Sequence, residues 1–294
     1  MIPAAFKYAA PTSVAEAVSL LQAGGDDAKV LAGGHSLLPL MKLRLAAPSV
    51  LVDINRIQGL AYIREDGEIG RLRIGALTRH VELERSALIR GRYPLLADAA
   101  GGIGDPQVRN RGTMGGSVAH ADPASDWPAA LLAADGEVMA TGPAGERVIA
   151  VRDFILDTFT TALAPDELLI EIRVPLATPN SGGAYAKLER KVGDYAVVGV
   201  GAQVALDASG TVAAVGIGLC NVGPTSIKAV AAEEFLRGKP PAPDNVNEAA
   251  RLAMEASDPV TDDRGPADYK QAMVKELTRR ALLRALARAR GGAA

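Results

Sequence analysis

The stretch from Gly101 to Pro128, GGIGDPQVRNRGTMGGSVAHADPASDWP, constrains this chain more than any other. It carries six glycines (Gly101, Gly102, Gly104, Gly112, Gly115 and Gly116) and reads as one long loop. Connections inside compact domains usually run to about 4–6 residues, and a long ordered loop is commonly a functional one. Its centre, GTMGGS, has a counterpart upstream in VLAGGHSLLPLMKLR, Val30 to Arg44, where a strand-like run breaks into paired glycines followed by a hydroxyl residue. Glycine pairs let backbone N–H groups point into one concavity, a nest for anionic oxygens. Ser36 can also cap the segment after it, whose first turn favours negative charge. Two such loops could hold the two phosphates of a dinucleotide between them. Paired glycines equally serve as turn formers with no ligand at all. Neither loop has the spacing of a Rossmann fingerprint or of a phosphate loop, so pattern alone reaches a phosphate-bearing cofactor and goes no further.

Bulk properties narrow the classes. At 294 residues, 48% apolar and 22% charged, the chain fits two or three subdomains with a substantial core. A formal net charge of -2 argues against a general nucleic-acid binder. The single cysteine, Cys220, excludes an internal disulfide framework and a self-contained iron–sulfur or Cys-rich zinc site. A cytoplasmic setting is the expectation. MIPAAFKYAAPTS has no basic start followed by a long apolar run, so no signal peptide is expected. No uninterrupted apolar run approaches the roughly 18 residues of a membrane span.

Local patterns divide the chain. Ser13 and Glu16 make a capping box for a helix striped by Val14, Ala17, Val18 and Leu21 and ended by Gly24-Gly25. KVLAG and SVLVDI read as strands, so the first 55 or so residues suggest a small α/β unit. Hairpins are predicted about Asp66-Gly67 and Gly142-Pro143, a helix with Thr78 as N-cap at TRHVELERSALI, and a helix capped by Asp126 at WPAALLAA. ELLIEIRVP is a strand stopped by Pro175, and the turn formers of PLATPNSGG, 175–183, mark the main boundary. Beyond it an antiparallel meander is predicted, then three helices at about 229–237, 244–257 and 266–290.

With these motifs in place, KVLAGGHSLLPLMKLRLAAPSVLVDINRI followed by VRNRGTMGGSVAHADPASDWPAALLAADGEV resembles the FAD-binding medium subunit of molybdenum hydroxylases, in its carbon-monoxide-dehydrogenase form, related to the FAD domain of xanthine dehydrogenase. The likeness continues through TALAPDELLIEIRVP and ERKVGDYAVVGVGAQVAL, nearly the whole chain. It implies an α+β fold: a vanillyl-alcohol-oxidase/PCMH-type FAD-binding fold over 1–177, with subdomains of about 1–56 and 57–177, and a C-terminal antiparallel sheet with a three-helix bundle over 178–294. It points to Ala32, Gly33, Gly34, His35, Ser36 and Leu37 as a loop wrapping the FAD pyrophosphate with backbone amides. Thr113, Gly115, Gly116 and Ser117 are expected to do likewise, with the two hydroxyls as further donors. Asp126 matches a carboxylate that accepts from a sugar or linker hydroxyl, Ile103 and Leu169 match apolar positions beside the rings, and Lys187 matches a cofactor-binding lysine. Tyr195, in GDYAVV, matches a position over one flavin face, where it would control access to the ring.

The resemblance also accounts for the lone cysteine. The molybdenum cofactor and two [2Fe-2S] clusters are expected on a large and a small partner subunit, in a dimer of heterotrimers, with electrons running from substrate through molybdenum and clusters to FAD and out to an acceptor. No catalytic acid or base is assigned to this chain. A stand-alone flavin oxidase or reductase acting directly on a small molecule is the alternative, and a non-enzymatic phosphate-ligand scaffold the third reading.

The remaining candidates take simpler roles. His35 and His120 brace the glycine loops, His80 is expected on a helix surface, and His120-x-Asp122 lacks a third ligand for a metal. Arg109 to Gly112, RNRG, is read as loop positioning or subunit contact. Arg280, Arg284 and Arg288 form an i, i+4 row on the last helix, read as a solvated face or a dock for an acidic partner.

Overall fold

A computed structural model describes residues 2–292; residues 1 and 293–294, the ends of the two expected domains, lie outside the described residues. Three principal sheets carry the fold, each against its own buried core. The first unit runs β1 (Lys7–Ala9), α1 (Val14–Gly24), β2 (Ala28–Leu31), α2 (Leu37–Lys42) and β3 (Val50–Asp53). Its strands are parallel in the order β1-β3-β2. Helix α1 begins where Ser13 Oγ accepts from the Glu16 amide at 3.2 Å, and it buries Ala17, Val18 and Leu21. The Glu16 carboxylate reaches back to the amide of Thr12 at 2.8 Å, one residue before the cap.

The second unit opens with the hairpin β4 (Ile63–Asp66) and β5 (Arg71–Gly75). Six helices follow: α3 (His80–Arg85), α4 (Ala87–Arg92), α5 (Pro94–Gly102), α6 (Pro106–Arg111), α7 (Met114–His120) and α8 (Asp126–Ala133). Then come β6 (Glu137–Gly142), β7 (Gly145–Ala150), a short α9 (Val151–Phe154), the small pair β8 (Ile155–Asp157) and β9 (Thr160–Thr161), and β10 (Leu168–Pro175). The five-stranded sheet is antiparallel in the order β4-β5-β10-β6-β7.

Here the structure corrects four expectations. The glycine stretch is two helices rather than a loop: Asp105 accepts from the Val108 amide at 2.8 Å to start α6, and Thr113 accepts from the Gly116 amide at 3.1 Å to start α7. Gly115 sits inside α7 for space, since a Cβ there would lie 2.6 Å from the Ala76 side chain. Asp126 is the first residue of α8, not its cap; the cap position is Ser125. Thr78 is not a cap either, because its hydroxyl bonds both the amide and the carbonyl of Tyr62 at 3.1 Å; the helix divides at Ser86, whose Oγ accepts from Ile89 to start α4. His80 is buried and not on a surface, and its Nδ1 accepts from the Trp127 indole at 3.1 Å.

The third unit is the antiparallel meander β11 (Ser181–Leu188), β12 (Val198–Leu206), β13 (Val212–Cys220) and β14 (Ile227–Lys228), followed by α10 (Val230–Leu236), α11 (Pro243–Glu255) and α12 (Ala267–Ala289). Helix α11 packs between α10 and α12. Strand alternation assigns the sheet's faces. Val198, Val200, Ala202 and Val204 join the core with α12, whereas Gly201, Gly216 and Gly218 face α8 so closely that a Cβ at Gly218 would lie 2.0 Å from the Ala129 carbonyl oxygen. Helix α8 of the second unit thus lies directly on bare backbone of the third.

Two polar anchors join these units. Asp98 on α5 accepts from Arg284 at 3.1 Å, from Arg288 at 2.7 Å and from the Tyr185 amide at 3.1 Å. The cationic row expected to be a solvated or partner-facing surface is therefore in part an internal anchor: Arg288 is half-buried against Asp98, whereas Arg280, paired to Glu276, and Arg284 stay exposed. The second anchor, Asp126 with Lys187, belongs to the site.

Candidate cofactor-binding site

The two glycine motifs, distant in sequence, touch. A Cβ on Gly33 would lie 2.5 Å from the Arg111 carbonyl oxygen and 2.8 Å from Gly112 Cα, and one on Gly116 would lie 3.6 Å from the Ala32 side chain. Gly34 holds φ at +76°, a conformation that L side chains rarely adopt, and so turns the chain out of β2 into α2. The contact is braced by residues that motif reading missed. Asn55 donates to the Ala32 carbonyl at 2.8 Å and accepts from Arg79 Nη2 at 2.6 Å, while Arg79 Nη1 donates to the Arg111 carbonyl. One guanidinium and one amide thereby tie the first unit to the second motif. Their only sequence signal was proximity to strand ends.

The motifs are not equivalent. Among the described residues, the amides of Gly33, Gly34, His35, Ser36 and Leu37 donate to no backbone acceptor. In the second motif the amides of Met114, Gly115 and Ser117 donate to Thr78, Ala76 and Thr113 carbonyls at 3.0 Å, and that of Gly116 to Thr113 Oγ1. The expectation that Gly115, Gly116 and Ser117 offer amides as the first loop does is corrected: those donors are already satisfied. The hydroxyls of Thr113 and Ser117 remain as donors, with Thr113 Oγ1 accepting from the Gly116 amide and Ser117 Oγ 2.8 Å from Ser125 Oγ.

Around this seam the other expected residues gather. Arg109 bonds the carbonyls of Ile103 and Gly104 at 3.1 and 2.9 Å and pairs with Glu84 at 2.9 Å, so RNRG does position the half-buried Ile103. Leu169 is buried on β10, the strand against which α7 packs. The β11–β12 connection closes in from the third unit, where a Cβ on Gly193 would lie 3.1 Å from the Gly104 carbonyl carbon. It brings the half-exposed Tyr195 beside Ser36, with the Arg264 guanidinium 5.9 Å from the ring centre. His35 Nδ1 sits 3.4 Å from the Gly33 carbonyl, and the His120 ring packs 5.0 Å from that of Phe159. No group of residues able to hold a metal occurs among the described residues.

Asp126 is the electrostatic centre. Its buried carboxylate accepts from Tyr185 Oη at 2.9 Å and from Lys187 Nζ at 3.0 Å, and Lys187 also donates to the Gly102 carbonyl at 2.9 Å. Burial lifts the Asp126 carboxyl above its ordinary value, although Lys187 and Tyr185 pull it down. Behind Tyr185, Cys220 Sγ lies 3.3 Å from the hydroxyl, and burial pushes its thiol up to about 12. This cysteine is an inert core residue.

Residues 4–177 match the family model described as the FAD binding domain in molybdopterin dehydrogenase, and residues 183–285 match the CO dehydrogenase flavoprotein C-terminal domain. The chain belongs to this flavoprotein family. The flavoprotein is 47% identical to the carbon monoxide dehydrogenase medium chain of Hydrogenophaga pseudoflava, over 98% of this chain and 99% of that one. It is 41% identical to the 6-hydroxypseudooxynicotine dehydrogenase complex subunit alpha of Paenarthrobacter nicotinovorans, over 99% and 97% of the two chains. Its structure superposes on carbon monoxide dehydrogenase from Hydrogenophaga pseudoflava with a TM-score of 0.94 at 48% identity, covering 98% of this chain and 99% of that one. The flavoprotein is thus an FAD-binding oxidoreductase component of the molybdenum hydroxylase medium-subunit type, with the PCMH-type fold. Among the described residues no helix is long and apolar enough to cross a membrane. The site suits the cofactor on its own terms. Five free amides offer donors to a pyrophosphate, and the solvent-shielded Glu189 Oε2, 3.7 Å from Lys187, has no hydrogen-bond partner among the described residues.

Proposed function

We propose that the flavoprotein holds FAD across the seam of its glycine motifs as the electron-exit subunit of a three-component dehydrogenase. Bound FAD supplies the redox chemistry, taking electrons from [2Fe-2S] clusters on a small subunit, themselves fed by molybdenum on a large subunit, and releasing them to an external acceptor. The single cysteine supports this division of labour, because the chain has no thiolates for a cluster of its own. The complex is a dimer of heterotrimers in the cytoplasm, and the chain divides into an FAD-binding domain at 1–177, in two subdomains, and a C-terminal domain at 178–294.

Each residue has a task. The amides of Gly33 to Leu37, with Ala32 leading in, bind the pyrophosphate. Thr113 and Ser117 add hydroxyl donors, while Gly115 and Gly116 keep α7 close enough to reach. Asp126 and Lys187 hold a sugar or linker hydroxyl and the ring's polar edge, Ile103 and Leu169 line the apolar rings, and Tyr195 covers one flavin face and limits access to it. No acid or base of the chain moves a proton in this scheme.

The observation that carries the reading is the row of five amides that find no backbone acceptor among the described residues, starting at Gly33, which packs against the second motif. Complex purified from the native host is expected to hold near-stoichiometric flavin that bleaches with substrate only when the iron–sulfur partner is present. Gly34→Val, which forces a branched side chain into a φ of +76°, is expected to strip the flavin while the third unit stays folded. Full flavin occupancy in that variant would sink the assignment, and bleaching of the isolated chain by a small substrate would favour a stand-alone oxidase.

A further inference from the structure

We infer that Glu189 is a cofactor-binding residue, and that with Lys187 it grips a part of the flavin half carrying a donor and an acceptor side by side. The inference rests on the FAD reading above. Strand alternation sets Tyr185, Lys187 and, one residue past the end of β11, Glu189 on a single face. The Lys187 ammonium has three N–H donors, of which the Gly102 carbonyl and the Asp126 carboxylate take two. Glu189 Oε2 lies 3.7 Å from Nζ, too far for a hydrogen bond, and among the described residues it has no hydrogen-bond partner although it is shielded from solvent. The two therefore stand next to each other as an ion pair in which the ammonium keeps a spare donor and Glu189 Oε2 a spare acceptor position. Leaving a buried carboxylate oxygen without a donor is costly, so a group that bridges the two relieves both.

The charge balance selects the ligand's chemistry. Asp126 and Glu189 set two carboxylates against one ammonium, and Glu189 adds to the pressure that raises Asp126. A phosphate, which brings only acceptors and more negative charge, is excluded from this corner and belongs to the amides of the first motif. A group that donates to Glu189 and accepts from Lys187 fits. The flavin half of FAD has two such groups, the imide edge of the isoalloxazine and the hydroxyls of the ribityl chain. Tyr195 stands on the same β11–β12 connection as Glu189, which puts the corner on the flavin side of the cofactor.

The test uses the native complex stripped of flavin and titrated with FAD, 3-methyl-FAD and ADP, with binding followed by flavin fluorescence and, for ADP, by competition. Glu189→Leu is expected to weaken FAD by about tenfold or more while leaving ADP unchanged, and Glu189→Gln, which keeps an acceptor, is expected to fall between. If the imide is the partner, native protein discriminates against 3-methyl-FAD and Glu189→Leu loses that discrimination; if a ribityl hydroxyl is the partner, both bind 3-methyl-FAD in the same ratio to FAD. Unchanged FAD affinity in Glu189→Leu, or an equal loss for ADP, overturns the inference while leaving the FAD reading intact. Native protein that takes up no FAD overturns the FAD reading itself.

Discussion

At the scale of single residues, His80 shows most clearly how burial rewrites a side chain's chemistry. Its Nδ1 accepts from Trp127, so the neutral ring carries its proton on Nε2, and Gly112 packs so closely that a Cβ there would lie 2.7 Å from that nitrogen. Burial, with Arg79, His35 and Arg109 nearby, lowers its pKa to about 4. The unfolded ring titrates near 6.5, so the unfolded state binds the extra proton first as pH falls. Stability from this residue is present above about 6.5 and is lost as pH drops towards 4. Between pH 7 and 5 that amounts to about 2 kcal/mol. His80→Gln keeps an acceptor for the indole without the titration. Chemical denaturation at both pH values is expected to show native protein losing about 2 kcal/mol more than the variant; parallel losses would refute the account. Glu171 follows the opposite logic. Burial would raise it, but Arg73, Tyr62 and Arg173 together hold its carboxyl below the usual range.

At the scale of elements, the helix α8 against β12 and β13 decides how the second and third units meet. Local propensity favours neither the glycines of β13 nor any particular partner for them. Their use appears only when α8 lies on the sheet with the Ala129 carbonyl 2.0 Å from where a Gly218 Cβ would be. Gly218→Ala is expected to lower stability by about 1–3 kcal/mol, because the contact is with backbone and cannot give. Gly67→Ala, in a hairpin turn with nothing within 4 Å, is the control and is expected to change stability by less than about 0.5 kcal/mol. Equal melting temperatures for the two variants would disprove the close-packing account. This element was half legible. The strands and α8 follow from alternation and apolar runs, which are local, whereas their mutual packing is set by a contact between residues far apart in the chain.

At the scale of the whole molecule, the proposed cofactor site is a seam between units. The first unit contributes free amides, the second supplies Asp126 and the capped α7, and the third delivers Lys187, Glu189 and Tyr195. The Asp98 anchor sets β11 against the second unit, with Arg288 half-buried and the Tyr185 amide bonded to the same carboxylate. Asp98→Asn leaves two arginines short of a counter-charge and is expected to cost about 2–3 kcal/mol. Amide hydrogen exchange is expected to speed up along β11, Tyr185 first, with weaker FAD retention following because Lys187 sits two residues on. Unaltered exchange at Tyr185 would show that the anchor does not hold the strand.

What the amino-acid sequence determined by itself was everything carried by neighbours along the chain: the capped α1, the hairpins, the meander, the last three helices, and the two glycine motifs whose likeness named the family. Those signals survive because turn chemistry, capping and alternation act over a few residues. What only the tertiary structure decided was which groups are left free. GGHS and TMGGS read alike, yet one keeps its amides open while α7 spends its own on Ala76, Thr78 and Thr113. His80 and Arg288 looked like surface residues, yet His80 is buried and Arg288 half-buried, each bonded to a partner from another part of the chain. A hydrogen bond or a buried charge depends on what folding brings opposite it, and that partner is a long-range fact that no local pattern contains.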